Sequence, residues 1–356
     1  MMASDRDSAR DVDAILSEAA RPIEKTLFVM GAGFDPRCLA GIRRVLAVVG
    51  KPNLAAIEPE ASRGSRGAIA KHRESHFAWL KSQFGDRLTP VDFPHVERDS
   101  SAGRLIAQMV TSPETLGEAT TAVLDMSALP SSISFPCASA LMQVCDDVAA
   151  PLRELVVVVT ENPGIDHAIR KGSVGDASVL PGFGREVRVK TAARPVRVWA
   201  PVLGPGADAA MRRIAEKVDP QEVCPILPFP ATDMRLADRL ILEHRQLFLD
   251  ERRIQPGNVI YAAEHNPFDL YRTLVAFEQD YRETLAPLGG ARVHLSSHGS
   301  KLLSVGVLLA AYECGMPVYA VRTGRYTLAE ENYQIESRQQ DRLTCMWLKG
   351  RPYLSA

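Results

Sequence analysis

Residues 292–321 read RVHLSSHGSKLLSVGVLLAAYECGMPVYAV, and this stretch decides the fold class. An apolar run at 292–296 is followed by a turn of small and polar residues and by a predicted helix over 302–314. A second apolar run follows at 318–321. Two short apolar runs that flank an amphipathic or apolar helix are typical of parallel strands joined by a crossover. The stretch therefore predicts one strand–helix–strand unit.

The same alternation continues through most of the chain in both directions. Runs rich in Val, Ile and Leu predict strands at 26–30, 54–57, 88–92, 121–124, 155–159, 196–200, 223–227, 258–262, 292–296 and 318–321. The stretches between them predict helices at 37–49, 67–84, 101–111, 134–148, 208–217, 233–251, 267–286 and 302–314. Continuously apolar strands indicate a sheet that is covered on both faces, which favours parallel pairing. The sequence therefore predicts an α/β fold with a mostly parallel Rossmann-like sheet or sheets and flanking helices.

The length of the chain predicts more than one packed core. Its 356 residues exceed the usual size of a single hydrophobic core, so we expect two tandem lobes. The predicted parts are an N-terminal helical extension at 1–24, Rossmann-like lobes at 25–161 and 196–326, a Gly-rich loop or linker at 162–195, and a C-terminal tail at 327–356. Whether the lobes share one continuous sheet stays open, as does the choice between linker and functional loop for 162–195.

The composition excludes several classes of protein. A net charge of −1 gives no overall basic field of the kind that duplex-binding proteins use, so no duplex DNA partner is expected. The six cysteines are scattered without a CxxC pair, which is typical of reduced thiols in a cytoplasmic protein. The polar, acidic start is unlike a signal peptide, and no apolar run is long enough to span a membrane. We therefore expect a cytoplasmic protein without a membrane partner.

The loop after the strand at 292–296 is the strongest candidate binding site. Glycine and serine at a helix start let backbone N–H groups converge, and a lysine adds positive charge, which together suit an anion such as phosphate. A purely structural turn would hardly need so many polar residues together. Its residues are Ser296, Ser297, His298, Gly299, Ser300 and Lys301.

The loop after the first strand is the second candidate. Gly31 and Gly33 allow a tight turn, Asp35 is suited to cap a helix, and Arg37 would stand on the first helical turn. Pro36 occupies the last glycine position of a GxGxxG motif, and no GK[ST] follows, so neither nucleotide motif is present. The alternative is a glycine turn with a helix cap and a surface arginine.

Three further loops carry polar residues directly after a predicted strand. Each set can hold a ligand, and each can equally be a helix cap or a charged exit from the sheet. The sets are Asp125 with Ser127, Glu264 with His265 and Asn266, and Arg322 with Tyr326. The candidates for acid–base catalysis are Asp35, Asp125, Glu264 and His298. No metal-binding spacing or GxSxG elbow is present, so no metal and no cofactor are predicted.

At residues 298–301 the chain resembles the Rossmann-type sensor domains called CARF and SAVED, which occur in prokaryotic antiviral systems. The resemblance lies in the late strand, the Ser/Gly/Lys turn, the small-residue helix and the next strand, and it covers under a tenth of the chain. Those families bind cyclic oligonucleotide second messengers at the strand ends, and SAVED domains fuse two such units. The resemblance implies a ligand sensor. No nuclease signature accompanies it, so an effector activity would have to come from elsewhere.

The sequence leaves three functions open. The first is a sensor or accessory module that binds a nucleotide or another phosphorylated small molecule and acts with a protein partner or as a homo-oligomer, in antiviral defence or signalling. The second is an enzyme on such a molecule, a glycosidic or phosphoester hydrolase. In the third, the protein is a scaffold subunit and its polar loops are only turns and caps.

Overall fold

A computed structural model describes residues 1–58, 67–94, 99–172, 174–184, 195–323, 326–329 and 341–353. Its chain divides into two compact units. Unit 1 comprises Met1–Ser173 together with Thr323–Ala356, and unit 2 comprises Val174–Arg322. The single chain thus leaves unit 1, forms unit 2 and returns to unit 1.

The strands and helices alternate along the chain. The strands are β1 (Met2–Ser4), β2 (Thr26–Gly31), β3 (Asn53–Ile57), β4 (Leu88–Val91), β5 (Thr121–Asp125), β6 (Glu154–Glu161), β7 (Ile169–Lys171), β8 (Val174–Val179), β9 (Val196–Val202), β10 (Glu222–Val223), β11 (Ile226–Pro228), β12 (Ile260–Ala262), β13 (Ala291–Ser297), β14 (Val318–Thr323), β15 (Tyr326–Leu328) and β16 (Arg342–Lys349). The helices are α1 (Ala9–Ala19), α2 (Ala40–Val48), α3 (Ala68–Phe84), α4 (Asp99–Val110), α5 (Pro113–Leu116), α6 (Ser131–Asp146), α7 (Pro163–Ala168), α8 (Asp208–Val218), α9 (Leu236–Glu243), α10 (Pro267–Thr284) and α11 (Lys301–Cys314).

Several helix starts follow directly from the local sequence. Asn162, Asn266 and Ser300 precede α7, α10 and α11, and each side chain accepts a hydrogen bond from the backbone N–H of the third residue of its helix. Proline at the first position of α7 and α10 adds to this, because its fixed backbone angle suits a helix start. Such caps fix where the helices begin.

The sheet of unit 1 has seven strands in the order β1-β16-β6-β5-β2-β3-β4. Strands β2 to β6 pair in parallel, whereas β16 runs antiparallel to β6 and β1 runs antiparallel to β16. From β2 the chain builds outward to β3 and β4, and it then returns to place β5 and β6 on the other side. The strand order therefore reverses between β2 and β5.

The sheet of unit 2 repeats this order with different strands. Its path is β12-β11-β9-β13-β14-β8, and β10 pairs with β9. The pairs among β9, β10, β11, β12, β13 and β14 are parallel. As in unit 1, the chain builds outward from the central strand and then returns to its other side, so the order reverses between β9 and β13. The structure confirms the predicted α/β class with two mostly parallel, Rossmann-like sheets.

Each sheet is buried by apolar side chains. In unit 1, α1, α2 and α3 contribute to a core that includes the buried Phe28 and Trp347. In unit 2, α8 and α9 cover a core that includes Trp199 and Phe248. On the other side, a Cβ atom on Gly306 of α11 would lie 2.6 Å from the carbonyl oxygen of Pro267, so glycine lets α11 and α10 approach closely.

The ends of the chain depart from the predicted boundaries. The segment 1–24 was predicted as an extension and 327–356 as a tail, but β1 and β16 pair with each other inside the sheet of unit 1. The stretch 162–195 was predicted as a loop or linker, yet its described part contains α7, β7 and β8. The strands among these elements are stabilised by pairing with segments far along the chain, so the local sequence pattern does not predict them.

A buried histidine in β13 makes unit 2 sensitive to acid. His294 is 5% exposed, and neither ring nitrogen has a hydrogen-bond partner within the described residues. Burial, with the nearby charges of Arg292 and Arg197, lowers the pKa of His294 to about 4. The unfolded chain, with a histidine pKa of about 6.5, then binds the proton more readily than the folded chain.

We therefore expect the free energy of unfolding to be highest above the unfolded pKa and to fall as the pH drops from 6.5 towards 4. The His294 contribution to this loss is about 2 kcal/mol between pH 7.5 and pH 5. Urea unfolding of the full chain at both pH values measures it, with His294→Phe as the comparison. An equally steep pH dependence in His294→Phe would contradict the assignment.

Candidate functional site

The strongest predicted loop lies at the switch point of unit 2. Val202 at the end of β9 and Ser297 at the end of β13 are register partners. The loops that follow them, 203–207 and 298–300, therefore leave the same edge of the sheet side by side. In open α/β sheets ligands bind at this edge, where the strand order reverses. The structure thus brings the loop at 298–301 to the position that this fold class favours for a ligand.

Hydrogen bonds hold the loop at 298–300 in one conformation. The N–H of His298 donates to the carbonyl of Val202 over 3.0 Å, which ties the loop to the end of β9. Ser300 caps α11 by accepting from the N–H of Leu303 over 3.2 Å. The hydroxyl oxygens of Ser297 and Ser304 lie 2.9 Å apart. The residues 297–301 remain partly exposed, so this rigid loop is accessible.

The ring of His298 is also held by a contact with β13. Its Nε2 lies 3.1 Å from the hydroxyl of Ser296, and that hydroxyl accepts a hydrogen bond from the indole Nε1 of Trp199 over 3.1 Å. Trp199 and Ser296 are buried in the sheet. Because a core residue anchors this chain of contacts, the imidazole of His298 is oriented before any ligand arrives.

The sequence patterns did not predict a role for the neighbouring turn at 203–207. Gly204 contacts the loop at 298–300 so closely that a Cβ atom would overlap the carbonyl oxygen of His298. The signal was present, because Gly204-x-Gly206 follows a buried strand just as Gly31-x-Gly33 does. Glycine is required here by the close approach of two backbones.

The chain's own side chains occupy part of that turn. The N–H of Gly206 donates to a carboxylate oxygen of Glu243 over 2.6 Å. The Nε2 of the fully buried His244 lies 2.9 Å from the carbonyl oxygen of Gly204. Asp208 at the start of α8 adds a further negative charge. An incoming anion is therefore better accommodated beside Lys301 at the start of α11 than at the start of α8.

The corresponding edge of unit 1 has the opposite character. Arg37, which was predicted to face a ligand, is buried, and its guanidinium donates to Asp35 over 2.7 Å and to Asp166 over 2.6 Å. Burial alone would lower the pKa of Arg37, but the two carboxylates outweigh it and raise the pKa above its usual value. Arg37 is thus permanently charged and already engaged by carboxylates.

The other predicted groups at this edge serve the local backbone. Asp125 accepts from the N–H of Ser127 over 2.8 Å, and the Ser127 hydroxyl accepts from the N–H of Thr160 over 2.8 Å. Asp125 and Ser127 are both buried. A Cβ atom on Gly31 would lie 2.8 Å from the side chain of Leu129, so packing against Leu129 explains why glycine occupies this position. A ligand contact for Gly31, Gly33 or Ser127 stays a prediction.

An additional carboxylate makes this edge of unit 1 more acidic. Asp341, just before β16, accepts from the side-chain amide of Asn162 over 2.8 Å. Burial raises the pKa of Asp341 above its usual value. With Asp35, Asp125 and Asp166 close to Arg37 or the same strand ends, carboxylates prevail over cations there. Such an edge does not favour phosphate.

The loop after β12 contains a compact polar cluster. Glu264 accepts from the N–H of Thr232 over 2.8 Å, and the Nε2 of His265 lies 2.7 Å from the Thr232 hydroxyl and 3.0 Å from Glu264. Asn266 is the cap of α10, as the structural alternative predicted. This cluster joins the loops after β11 and β12, the two strands at one end of the sheet. The switch point lies between the next two strands, β9 and β13.

The last predicted pair is divided between the units. Arg322 belongs to unit 2, and its side chain lies outside the described part of the chain. Tyr326 belongs to unit 1, where its ring centroid lies 5.9 Å from that of Phe34. The two residues thus belong to different units, and a ligand contact for Arg322 and Tyr326 stays a prediction.

The described residues contain no group of three or more His, Cys, Asp or Glu side chains arranged to hold a metal ion. None of their helices combines the length and the apolar character that crossing a membrane requires.

The close contact of Gly204 with His298 predicts a strong effect of one added methyl group. Gly204→Ala should lower the free energy of unfolding by about 1–3 kcal/mol, because the two backbones must separate. Gly257→Ala is the matched control, since a Cβ atom there has nothing within 4 Å and the change should be within about 0.5 kcal/mol. Chemical denaturation of both variants measures this. Equal stabilities would contradict the contact.

The paired state of Arg37 predicts a structural role in unit 1. Arg37→Ala leaves the largely buried Asp35 without its cation and should cost about 3 kcal/mol. Asp166→Asn is the control, because that carboxylate is 63% exposed and its loss should cost under about 1 kcal/mol. Thermal and urea unfolding compare them. An Arg37→Ala protein as stable as the wild type would contradict the structural role.

The comparisons with known proteins assign no family to the chain. No family model matches it, and no curated protein matches it. Among solved structures it is similar to a "Putative Universal Stress Protein from Pseudomonas aeruginosa UCBPP-PA14", with 9% identity, a TM-score of 0.23, and coverage of 88% of this chain and 98% of that chain. A TM-score this low does not establish a shared fold, and the strand order of the two sheets defines the fold of this chain.

Proposed function

We propose that this protein is a sensor or accessory module that binds a nucleotide or another phosphorylated small molecule and acts with a protein partner. The anionic part of the ligand binds at Gly299, Ser300 and Lys301 in unit 2. One observation carries the proposal: this polar loop lies at the switch point between β9 and β13, where it opens an apolar helix.

The start of α11 has the chemistry that an anion needs. The first N–H groups of a helix have no partner within the helix, and the aligned peptide dipoles add a partial positive charge there. Lys301 at the first position supplies a full positive charge. Gly299 is required by packing, because a Cβ atom there would lie 2.9 Å from Val202 and 3.1 Å from the carbonyl of Leu203. This packing holds the loop against the end of β9.

The contrast between the two units supports this choice of site. Both central strands are followed by a glycine turn with an aspartate, Gly31-x-Gly33-x-Asp35 in unit 1 and Gly204-x-Gly206-x-Asp208 in unit 2. In unit 1 the arginine near the turn is neutralised by carboxylates. In unit 2 the first turn of α11 begins with Lys301 and contains no acidic residue, which supports unit 2 as the host for phosphate.

A catalytic role has less support from the contacts. The carboxylates predicted as acids or bases each accept hydrogen bonds from the chain itself: Asp35 from Arg37, Asp125 from Ser127, and Glu264 from Thr232. These hydrogen bonds give each of the three carboxylates a structural role. We therefore propose binding without turnover. A role in antiviral defence rests on the resemblance to CARF and SAVED domains and stays a prediction.

Thermal-shift measurement of the full chain tests the proposal. The probes are nucleoside mono-, di- and triphosphates, and cyclic dinucleotides and oligonucleotides. A probe at 100 times its Kd should stabilise the wild type by about 2.7 kcal/mol. Lys301→Ala should remove most of this shift with little change in the stability of the unliganded protein, because Lys301 is partly exposed.

Lys217→Ala is the matched control. Lys217 is an exposed lysine in the last turn of α8, and it should be replaceable without effect on the shift. Analysis of the recovered probe then separates the two functions: unchanged probe agrees with a sensor, whereas conversion would show an enzyme. The proposal is wrong if no probe stabilises the wild type, or if Lys301→Ala responds as the wild type does.

A further inference from the structure

We propose that Phe229 and Tyr261 form a platform on which the base of a nucleotide stacks, so that the ligand of unit 2 is a nucleotide with its base over this pair. This inference rests on the proposed function, because it assigns the other end of the ligand whose phosphate binds at Lys301. It adds the chemical class of the ligand and two residues that the sequence did not indicate.

The two rings are unusually exposed for their type. Phe229 is 53% exposed and Tyr261 is 55% exposed, although most aromatic residues bury their rings. Their centroids lie 6.0 Å apart with an angle of 72° between the ring planes. One ring therefore supports the other edge to face, and together they present an aromatic surface that the core does not use.

The platform lies at the ligand-binding edge of the sheet. Tyr261 of β12 is the register partner of Leu227 in β11, and Phe229 follows Leu227 by two residues. Side chains two residues apart along an extended segment point to the same face, which explains why the rings meet. Strand β11 is next to β9, which is next to β13. At about 4.8 Å between strands, β11 lies about 10 Å from β13 along the edge.

Backbone hydrogen bonds fix the platform in place. The N–H of Phe229 donates to the carbonyl of Ala262 over 2.7 Å, and the N–H of Glu264 donates to the carbonyl of Pro230 over 3.0 Å. The N–H of Thr232 donates to Glu264 over 2.8 Å and joins the two loops again. The backbone that carries the rings is therefore fixed before a ligand binds, which reduces the entropic cost of binding.

The polar cluster beside the rings suits the edge of a base. Thr232, Glu264 and His265 supply a hydroxyl, a carboxylate and an imidazole within hydrogen-bond distance of one another. A nucleobase has a flat face that stacks on aromatic rings and a polar rim that forms hydrogen bonds. The combination of two exposed rings with this cluster fits such a group better than it fits an aliphatic chain or a simple phosphate.

Isothermal titration calorimetry of the full chain tests the platform. The probes are the four common nucleoside monophosphates, the matching nucleosides, and ribose 5-phosphate, which has the phosphate and lacks the base. Phe229→Ala and Tyr261→Ala should each weaken the preferred nucleoside monophosphate about 5- to 150-fold, which is the usual effect of removing a stacked ring. Binding of ribose 5-phosphate should not change, whereas Lys301→Ala should weaken both kinds of phosphorylated probe.

Two controls separate stacking from other effects of the substitutions. Tyr261→Phe keeps the ring and should keep most of the affinity. Leu288→Ala removes another exposed apolar side chain of unit 2, just before β13 begins and so at the opposite edge of the sheet, and should leave all affinities unchanged. Because Phe229 and Tyr261 are exposed, their alanine variants should retain the wild-type thermal midpoint.

The remaining outcomes distinguish the two proposals. If Lys301→Ala abolishes nucleotide binding and the ring variants do not weaken it, the platform is wrong and the phosphate site stands. If the ring variants weaken nucleosides and nucleotides while Lys301→Ala has no effect, the platform stands and the phosphate site is wrong. Both are wrong if no probe binds the wild type. A change in oligomeric state in Phe229→Ala, with nucleotide binding unaltered, would assign the rings to a protein interface and overturn the platform.

Discussion

The parallel pairing of β9 with β13 is the constraint on which the candidate site depends. The two strands stay in register from Val196 opposite Ala291 to Val202 opposite Ser297, so their carboxyl ends reach the same edge together. The loops that follow must then share one small space. Gly204 makes this possible, because any side chain there would overlap the carbonyl of His298. This contact sets the path of the loop at 298–300, in which Ser296 orients His298 and Ser300 caps α11.

The two units show that one strand order can carry different chemistry. Each has a central strand, a glycine turn with an aspartate, and a reversal of strand order beside the next returning strand. In unit 1 the guanidinium of Arg37 is already paired with carboxylates, because it is buried beside Asp35 and Asp166. A buried pair of this kind stabilises local structure and leaves little to offer a ligand. The fold supplies the location, and the side chains of each unit decide its use.

The two proposals assign two kinds of recognition to one edge of unit 2. Near the switch point, a helix start and a lysine suit negative charge. Two strands further out, Phe229 and Tyr261 present aromatic surface beside a polar cluster. Both regions are held by backbone hydrogen bonds to neighbouring strands. A rigid edge with a charged part and an aromatic part is what selective binding of an amphiphilic ligand requires, because little conformational freedom is lost on binding.

The sequence by itself determined the elements that depend on local pattern. Each of the ten predicted strands overlaps an observed strand, because buried parallel strands are continuously apolar, and the caps at Asn266 and Ser300 act between residues close in the chain. The tertiary structure alone decided the contacts between distant segments. These are the pairing of β1 with β16, the capture of Arg37 by Asp166, the approach of Gly204 to His298, and the meeting of Phe229 with Tyr261. The sequence around one partner does not reveal the other, because only the folded strand order brings the two segments together.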